Sequence, residues 1–331
     1  MEKGQPFVFK GGVTSLSRCE ILYLVIPCYN EEAVLPETTR QLTDKMNDMI
    51  DRKFISPQSK IVYVNDGSKD NTWPLIEQYH RENPLVNGIQ LSRNRGHQNA
   101  LLAGLMTVKD EADIVISLDA DLQDDIHAID RFVQAYYDGC DVVYGVRSTR
   151  QTDSWFKRHS AQAFYKLMKF FGVDIVYNHA DYRLMSRRVL CELEHYEEVN
   201  LFLRGLVPLV GFRSGVVEYE RHERFAGESK YPLKKMLSFA LDGITSFSIK
   251  PIRFITGLGL LIFVISILML LYFLIVHWVG YTVAGWTSIM VSVWAIGGLQ
   301  LLAIGIIGEY IGKTYLETKR RPRFIVEKYL H

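Results

Sequence analysis

The sequence is poor in cysteine and proline and carries almost no excess charge. Its 331 residues include four cysteines, which lack the paired spacing of a metal site or a disulfide framework and indicate a reducing compartment. Ten prolines, 24 glycines and a 48% hydrophobic composition exclude a collagen-like chain and a disordered chain. The formal net charge of +1 argues against a nucleic-acid-binding protein, which usually has a basic excess.

The most informative absence is a local one. Between positions 254 and 308 there is no Asp, Glu, Lys or Arg. A membrane-spanning helix needs about 20 apolar residues, so this segment predicts two transmembrane helices, at about 254–276 and 286–307. Basic residues flank both outer ends of the pair, whereas the short connecting loop has none. By the positive-inside rule we expect both termini, and the domain before the helices, to be cytoplasmic.

Upstream, short apolar segments alternate with helical patterns, which predicts an α/β fold. Segments 21–27, 60–65, 86–91, 113–118 and 141–145 are typical of buried strands. The intervening segments predict helices at 31–51, 72–82, 97–109 and 126–137. Strands separated by such helices indicate a mostly parallel sheet with right-handed crossovers and helices on both faces. Ligands of these sheets bind beyond the carboxyl ends of the strands, where the polar motifs of this chain lie.

The sequence divides into five predicted parts. A loose N-terminal tail, 1–20, precedes a cytoplasmic domain at 21–231. Residues 232–251 begin with proline and have apolar residues at helical spacing, which predicts an amphipathic helix lying in the membrane interface. The transmembrane hairpin follows at 252–310. A basic cytoplasmic tail, 311–331, ends the sequence.

The carboxylates that follow the fourth predicted strand are candidates for a metal site. Asp119, Asp121 and Gln123 alternate along an extended strand end and therefore project to one side. Oxygen ligands favour Mg²⁺ or Mn²⁺, which commonly bridge diphosphate oxygens. The alternative is that these acids only cap the next helix, as acids after strands often do.

Other strand ends carry residues that suit a nucleotide but have simpler explanations. Asp66 fits either an Asx turn or a carboxylate that accepts hydrogen bonds from a nucleobase or ribose. Tyr29 could flank a base, and Glu31 could be only a helix-dipole residue. His97, at the start of a predicted helix, is more typical of a cap or core residue, and Arg204 fits either a phosphate contact or a structural ion pair.

Three motifs in order resemble the family 2 inverting glycosyltransferases, which have the GT-A fold and use nucleotide sugars. They are PCYNEE at 27–32, VNDGSKDNT at 64–72 and DADLQD at 119–124. DYRL at 181–184, FLRG at 202–205, RHERFAGESKY at 221–231 and the apolar hairpin narrow the resemblance to the polyprenyl-phosphate glycosyltransferases. This subgroup includes the bacterial bactoprenol glucosyltransferases and dolichol-phosphate mannosyltransferase.

The resemblance implies a role for each matching residue. It implies nucleotide-sugar binding by Pro27, Tyr29, Glu31, Asp66, Asp119 and Gln123, and a metal held by Asp119, Asp121 and Gln123. It implies catalytic roles for Asp121 and Asp181. It also implies that the acceptor phosphate is bound by Arg147, Arg158, Arg204, Arg221, Arg224, Ser229 and Lys230.

We therefore expect metal-dependent, inverting transfer of a sugar, glucose first, from a UDP-sugar to undecaprenyl phosphate in the bacterial plasma membrane. The product would donate the sugar to lipopolysaccharide or another cell-wall polymer, and the resemblance suggests a homotetramer. UDP-N-acetylglucosamine or another sugar is an alternative donor. A processive polysaccharide synthase would need more helices and a Gln-x-x-Arg-Trp-type motif, and a non-catalytic scaffold would not need Asp66, Asp119 and Asp121.

Overall fold

The computed structural model describes residues 19–147, 179–198, 201–220, 250–279 and 285–331. They fall into two compact units. The sheet unit holds the described residues before position 221 together with 322–331, and the helical unit holds 250–279 and 285–321. Nearly all of the predicted N-terminal tail and of the predicted interfacial helix lies outside the described residues, as do Arg158, Arg221, Arg224, Ser229 and Lys230.

Strands and helices alternate through the first half of the sheet unit, as predicted. The strands are β1 Leu22–Cys28, β2 Lys60–Asn65, β3 Val86–Leu91, β4 Ile114–Ser117, β5 Val142–Arg147, β6 His179–Ser186, β7 Ser214–Tyr219 and β8 Val326–Leu330. The helices are α1 Leu35–Asp51, α2 Thr72–Glu82, α3 His97–Val108, α4 Ala128–Tyr137, α5 Arg187–Glu194, α6 Leu203–Leu209, α7 Lys250–Trp278 and α8 Trp286–Thr318. The α/β class is confirmed.

The strands form one mixed sheet in the order β7-β5-β6-β4-β1-β2-β3-β8. Strands β4, β1, β2 and β3 are parallel, and β5 is parallel to β7. Strand β6 is antiparallel to both of its neighbours, β4 and β5, with Ser117 paired to Arg183. Because β6 runs the other way, its first residues lie at the edge where β4 ends. This arrangement brings Asp181 to the acidic motif at 119–124.

The central strand β1 is buried along its whole length, which explains its unbroken apolar sequence. Helix α1 presents Leu35, Leu42, Met46 and Met49 to the core at helical spacing, and all four are fully buried. Burial of this helix face fixes the loop that joins β1 to α1 at the carboxyl edge of the sheet.

Helix α3 packs closely on β1 and β2 because it has a glycine at position 104. A β-carbon at this position would lie 2.5 Å from Val25 Cγ1 and 2.7 Å from Val64 Cγ2. Real β-carbons do not approach other atoms this closely, so a larger residue would force the helix or the two valine side chains to shift.

The C-terminal residues, predicted as part of a basic tail, form an edge strand of the sheet. Strand β8 pairs antiparallel with β3. Lys328 Nζ lies 2.7 Å from Glu77 Oε1, and the Tyr329 hydroxyl donates a 2.8 Å hydrogen bond to Glu111. Five residues of weak alternation do not identify a strand by themselves, since their partner strand is more than 200 positions away. The chain thus returns to the sheet unit after the helical unit.

Helices α7 and α8 form where the sequence places its two apolar segments, and they contain 29 and 33 residues. Not every side chain of these helices is described. A span needs about 20 consecutive apolar residues, and the described residues include no helix of sufficient length and apolarity to cross a bilayer. The predicted pair of transmembrane helices is therefore not confirmed.

We predict that Gly104→Ala lowers the free energy of unfolding of the sheet unit by about 1–3 kcal/mol, because the added methyl group overpacks the α3–sheet contact. Thermal unfolding of the purified protein measures the change. Gly257→Ala is the control, since a β-carbon there meets no atom within 4 Å. An unchanged unfolding temperature for Gly104→Ala would contradict the close packing.

Candidate active site

The loops after β1 and β2 are joined by reciprocal hydrogen bonds. The backbone amide of Asn30 donates to Ser68 Oγ at 3.0 Å, and the side-chain oxygen Oδ1 of Asn30 accepts from the backbone amide of Lys69 at 2.9 Å. The Glu32 carboxylate accepts from the backbone and side-chain amides of Asn71. Asn30 has a φ of 56°, a left-handed conformation that asparagine tolerates better than most residues. Two of the three sequence motifs therefore form one rigid corner.

This corner presents some of the predicted nucleotide-binding residues and buries others. The Tyr29 side chain is 43% exposed, which leaves its ring accessible to a base. Glu31 lies at the start of the loop to α1, and its amide donates to Thr72 Oγ1 at 2.9 Å. Pro27 is buried within β1 opposite Val64. Nucleotide contacts by these residues stay predictions.

Asp66 is a buried anchor for the loop between β3 and α3. Its Oδ1 accepts a hydrogen bond from the Arg95 amide at 2.6 Å, and its Oδ2 accepts one from the Gly96 amide at 2.8 Å. Burial raises the pKa of Asp66, and these two hydrogen bonds oppose that rise. Both carboxylate oxygens already have backbone partners, so Asp66 shapes this loop; a direct contact with a nucleotide stays a prediction.

Gly67 allows the same loop to approach closely. Its φ is +64°, and a β-carbon there would lie 2.6 Å from the Asn94 nitrogen. Only glycine combines this conformation with this contact at no steric cost. The DG step at 66–67 therefore fixes the path of residues 93–96 beside the site.

The third motif adopts a strained turn directly after β4. Asp121 Oδ1 accepts a hydrogen bond from the Gln123 amide at 3.2 Å, and Leu122 between them has a φ of 54°. The left-handed conformation costs a leucine about 1–2 kcal/mol, and such strain concentrates at functional sites. The Thr38 hydroxyl holds the turn from α1 by donating to the Ala120 carbonyl at 2.7 Å.

Negative charge accumulates around Asp119. Burial raises the pKa of this carboxyl group, and the carboxylates of Asp124, Asp181 and Asp121 raise it further, whereas His97 opposes the rise. His97 Nε2 lies 3.6 Å from Asp119 Oδ1 and 3.9 Å from Asp181 Oδ2. The sequence favoured a cap or core role for His97. Its position at the start of α3, just beyond the end of β3, was the available signal for a place in the site.

Asp181 is buried between two arginines. Arg204 Nε and Nη2 donate to its two oxygens at 3.2 and 3.0 Å, and Arg183 Nη2 donates to Oδ1 at 2.5 Å. Burial favours a raised pKa, but the charges of Arg204 and Arg183 outweigh it and hold the pKa of Asp181 well below its usual range. The carboxylate is therefore ionised at neutral pH and is unsuited to accept a proton. For Arg204 the sequence allowed a phosphate contact or a structural ion pair, and the structure shows the ion pair with Asp181.

Arg147 ends β5 at the same edge of the sheet. Its Nε donates to the Tyr219 hydroxyl at 3.3 Å, and its Nη2 donates to Asp124 Oδ1 at 3.4 Å. The sequence predicts a role for Arg147 but does not indicate either of these partners. Tyr219 belongs to β7, more than 70 residues further along the chain, and no local pattern connects the two.

The carboxylates at the end of β4 fit a divalent cation that takes only some of its ligands from the protein and the others from a substrate. No group of three or more His, Cys, Asp or Glu residues suited to a metal occurs within the described ranges. Mg²⁺ usually takes one or two carboxylates and completes its shell with phosphate oxygens and water. Asp119 and Asp121, crowded by further carboxylates, meet that requirement.

Comparison with known proteins identifies the family. The model of glycosyl transferase family 2 matches residues 23–193, which is more than half of the chain. The chain belongs to this family and is a glycosyltransferase, as the motifs indicated.

The curated relatives cover nearly the whole chain. "Uncharacterized glycosyltransferase YkoT" of Bacillus subtilis is 54% identical over 93% of this chain and 91% of its own length. "Bactoprenol glucosyl transferase" of Shigella phage SfX is 42% identical over 92% of this chain and 98% of its own length. Among solved structures, mannosyltransferase PcManGT of Pyrobaculum calidifontis is 15% identical, with a TM-score of 0.44, over 90% of this chain and 85% of its own. The resemblance inferred from the motifs is confirmed.

We predict that Asp181→Asn lowers the free energy of unfolding by about 3–5 kcal/mol, because it leaves the fully buried Arg183 guanidinium without its counter-charge. Since the pKa of Asp181 is lowered on folding, the wild-type stabilisation is complete at neutral pH. It is lost as the pH falls below the ordinary aspartate value of 3.8. Denaturant unfolding at pH 7 and in acid measures both effects.

Asp44→Asn is the matched control for this substitution. Asp44 also pairs with an arginine, Arg40, but both side chains are more than 60% exposed. Exposed pairs contribute little to stability, so its unfolding midpoint should not change. Equal effects of the two substitutions would contradict a special role for the buried pair.

Proposed function

We propose that this glycosyltransferase transfers glucose from UDP-glucose to undecaprenyl phosphate with inversion at the anomeric carbon. The supporting observation is that relatives named bactoprenol glucosyl transferase are 40–42% identical over 92% of this chain. The site is compatible with that reaction, because acidic side chains at the end of β4 lie at the same sheet edge as Arg147 and the Arg204–Asp181 pair.

The acceptor removes the need for a strong general base. A polyprenyl phosphate is a monoester that is ionised at pH 7, so one of its oxygens can attack the anomeric carbon directly. A bond forms between that phosphate oxygen and the anomeric carbon as the bond from the carbon to the diphosphate oxygen of UDP breaks, and UDP leaves with the electron pair. The lowered pKa of Asp181 agrees with this scheme, since an ionised Asp181 can orient Arg204 but is a poor base.

The residues of the site would act by positioning and charge neutralisation. Arginine grips phosphate through its planar fork, which suits Arg147 and Arg204 for the acceptor. Asp119 and Asp121 would hold a divalent cation, Mg²⁺ or Mn²⁺, which neutralises the charge that develops on the departing diphosphate. The Asp66-anchored loop would limit the space beside the nucleotide.

We further propose that α7 and α8 attach the enzyme to the cytoplasmic face of the bacterial membrane, where its acceptor is found. The segment 254–308 has no charged residue, and apolar side chains such as Phe254, Leu268 and Ile304 are at least 60% exposed. Residues on both sides of these helices belong to the sheet unit. This chain path agrees with both ends of the apolar segment lying on one side of a bilayer. The homotetramer stays a prediction.

Transfer can be measured with purified protein, undecaprenyl phosphate and a panel of radiolabelled UDP-sugars. We expect a lipid-extractable product from UDP-glucose that EDTA abolishes and added Mg²⁺ or Mn²⁺ restores. Asp119→Ala should lower the rate by about a hundredfold or more, whereas Asp51→Ala, an exposed acid at the end of α1, should not. No lipid product from any donor, in a preparation that still binds UDP, would refute the acceptor assignment.

Membrane attachment is tested by extraction of isolated membranes with alkaline carbonate. Proteins held by apolar helices stay in the pellet, whereas proteins held by charge alone are released. We expect the full chain to stay in the pellet together with an endogenous integral membrane protein, which serves as the control. Release of the chain into the supernatant would refute insertion of α7 and α8.

A further inference from the structure

Three polar residues from separate elements meet beside the third motif. Asp124 follows the turn after β4, Arg147 ends β5 and Tyr219 ends β7. The Tyr219 hydroxyl donates a 2.6 Å hydrogen bond to Asp124 Oδ1 and accepts one from Arg147 Nε at 3.3 Å. Arg147 Nη2 also donates to Asp124 Oδ1, at 3.4 Å. These residues are called the Asp124 cluster below.

The Asp124 cluster contributes less to the stability of the fold than apolar residues at the same positions would. Asp124 and Tyr219 are 5% and 2% exposed. The second carboxylate oxygen, Asp124 Oδ2, is buried and has no hydrogen-bond partner in the part of the chain that the structure describes. Burying a carboxylate with one oxygen unsatisfied costs free energy, so an apolar residue here would favour folding more. A buried polar group of this kind calls for a functional explanation.

Arg147 is the accessible member of the cluster, with 27% of its side chain exposed. Two of its three nitrogens are directed inward, Nε to Tyr219 and Nη2 to Asp124. Because the guanidinium group is planar, these two contacts fix its orientation. The group is thus held in one orientation at the carboxyl edge of the sheet before any substrate binds.

Tyr219 is suited to connect the other two residues. Burial, followed by the neighbouring Asp124 charge, raises the pKa of its phenol well above the usual value. The hydroxyl therefore stays protonated, donates a hydrogen bond to Asp124 and accepts one from Arg147. Edge-to-face packing with the Tyr182 ring, at 5.2 Å between centroids, fixes the phenol in place.

We propose that Tyr219 is a positioning residue for the acceptor: held by Asp124, its hydroxyl fixes the Arg147 guanidinium so that it receives the phosphate of the lipid. This inference rests on the proposed function. Asp124 directly follows Gln123 in the chain. The same residue therefore adjoins the turn that carries Asp121 and contacts Arg147, the arginine that would bind the acceptor phosphate. The cluster thereby sets the relative position of the donor and acceptor sites.

The test is steady-state kinetics of the full-length enzyme, with UDP-glucose and undecaprenyl phosphate varied in turn. Tyr219→Phe removes one hydroxyl group and keeps the ring. We expect the KM for undecaprenyl phosphate to rise about fivefold, the effect of one lost hydrogen bond, and the KM for UDP-glucose to stay within about twofold. A merely structural role would not separate the two substrates in this way.

Tyr137→Phe is the matched control. The Tyr137 hydroxyl also donates a hydrogen bond, at 2.8 Å to the Phe54 carbonyl, but near the start of β1 and away from the site. Both KM values should be unchanged. Arg147→Lys should raise the acceptor KM by itself, and Tyr219→Phe should add little to it, because residues of one network are not additive. If Tyr219→Phe does not fold, Asp124→Asn, which keeps the side-chain size, should raise the same KM.

Two negative outcomes are distinguishable. An active wild-type enzyme whose acceptor KM is unaffected by Tyr219→Phe, or whose two KM values rise equally, would overturn this inference and leave the proposed function standing. A folded wild-type enzyme that binds UDP but transfers no sugar to undecaprenyl phosphate would overturn both.

Discussion

The buried carboxylate of Asp181 holds together the part of the site that the strand order creates. It accepts hydrogen bonds from Arg183 on its own strand and from Arg204 on α6, and the Ser117 hydroxyl on β4 donates to the backbone carbonyl of Asp181 at 2.5 Å. One residue therefore connects β4, β6 and α6. Since β6 runs antiparallel between β4 and β5, this connection is possible only at the carboxyl edge, where the acidic motif ends β4. Without the antiparallel strand, Asp181 would not lie beside Asp119.

At the same edge, the loops after β1, β2 and β3 are held to one another by hydrogen bonds. The β1 and β2 loops exchange hydrogen bonds through Asn30 and Glu32, and Asp66 holds the loop at 93–96. A site that is preorganised in this way spends little free energy on reorganisation when charge develops during transfer. The left-handed conformations of Asn30 and Leu122 lie within the motifs at this edge. Their conformational cost is compensated by the surrounding core and loops.

Several motif residues turn out to support their neighbours through contacts that explain the motif. The carboxylates of Glu32 and Asp66 accept hydrogen bonds from backbone amides of other loops, and the backbone at 93–94 packs closely against Gly67. Asp119 is the contrasting case, because burial, and then the carboxylates of Asp124, Asp181 and Asp121, raise its pKa. A metal motif and a loop-supporting motif can thus look alike in a sequence, since both place an acid directly after a strand.

The amino-acid sequence by itself determined the α/β class, the first five strands and the family, because burial imposes periods and apolar segments that are visible locally. Strand β2 and helix α2 begin and end at the predicted residues. Only the tertiary structure decided that β6 enters between β4 and β5, that β8 returns to β3, and that Arg147, Asp124 and Tyr219 meet. These contacts join residues separated by tens to hundreds of positions. Their energy comes from strand pairing and buried charge, which no local pattern of residues records.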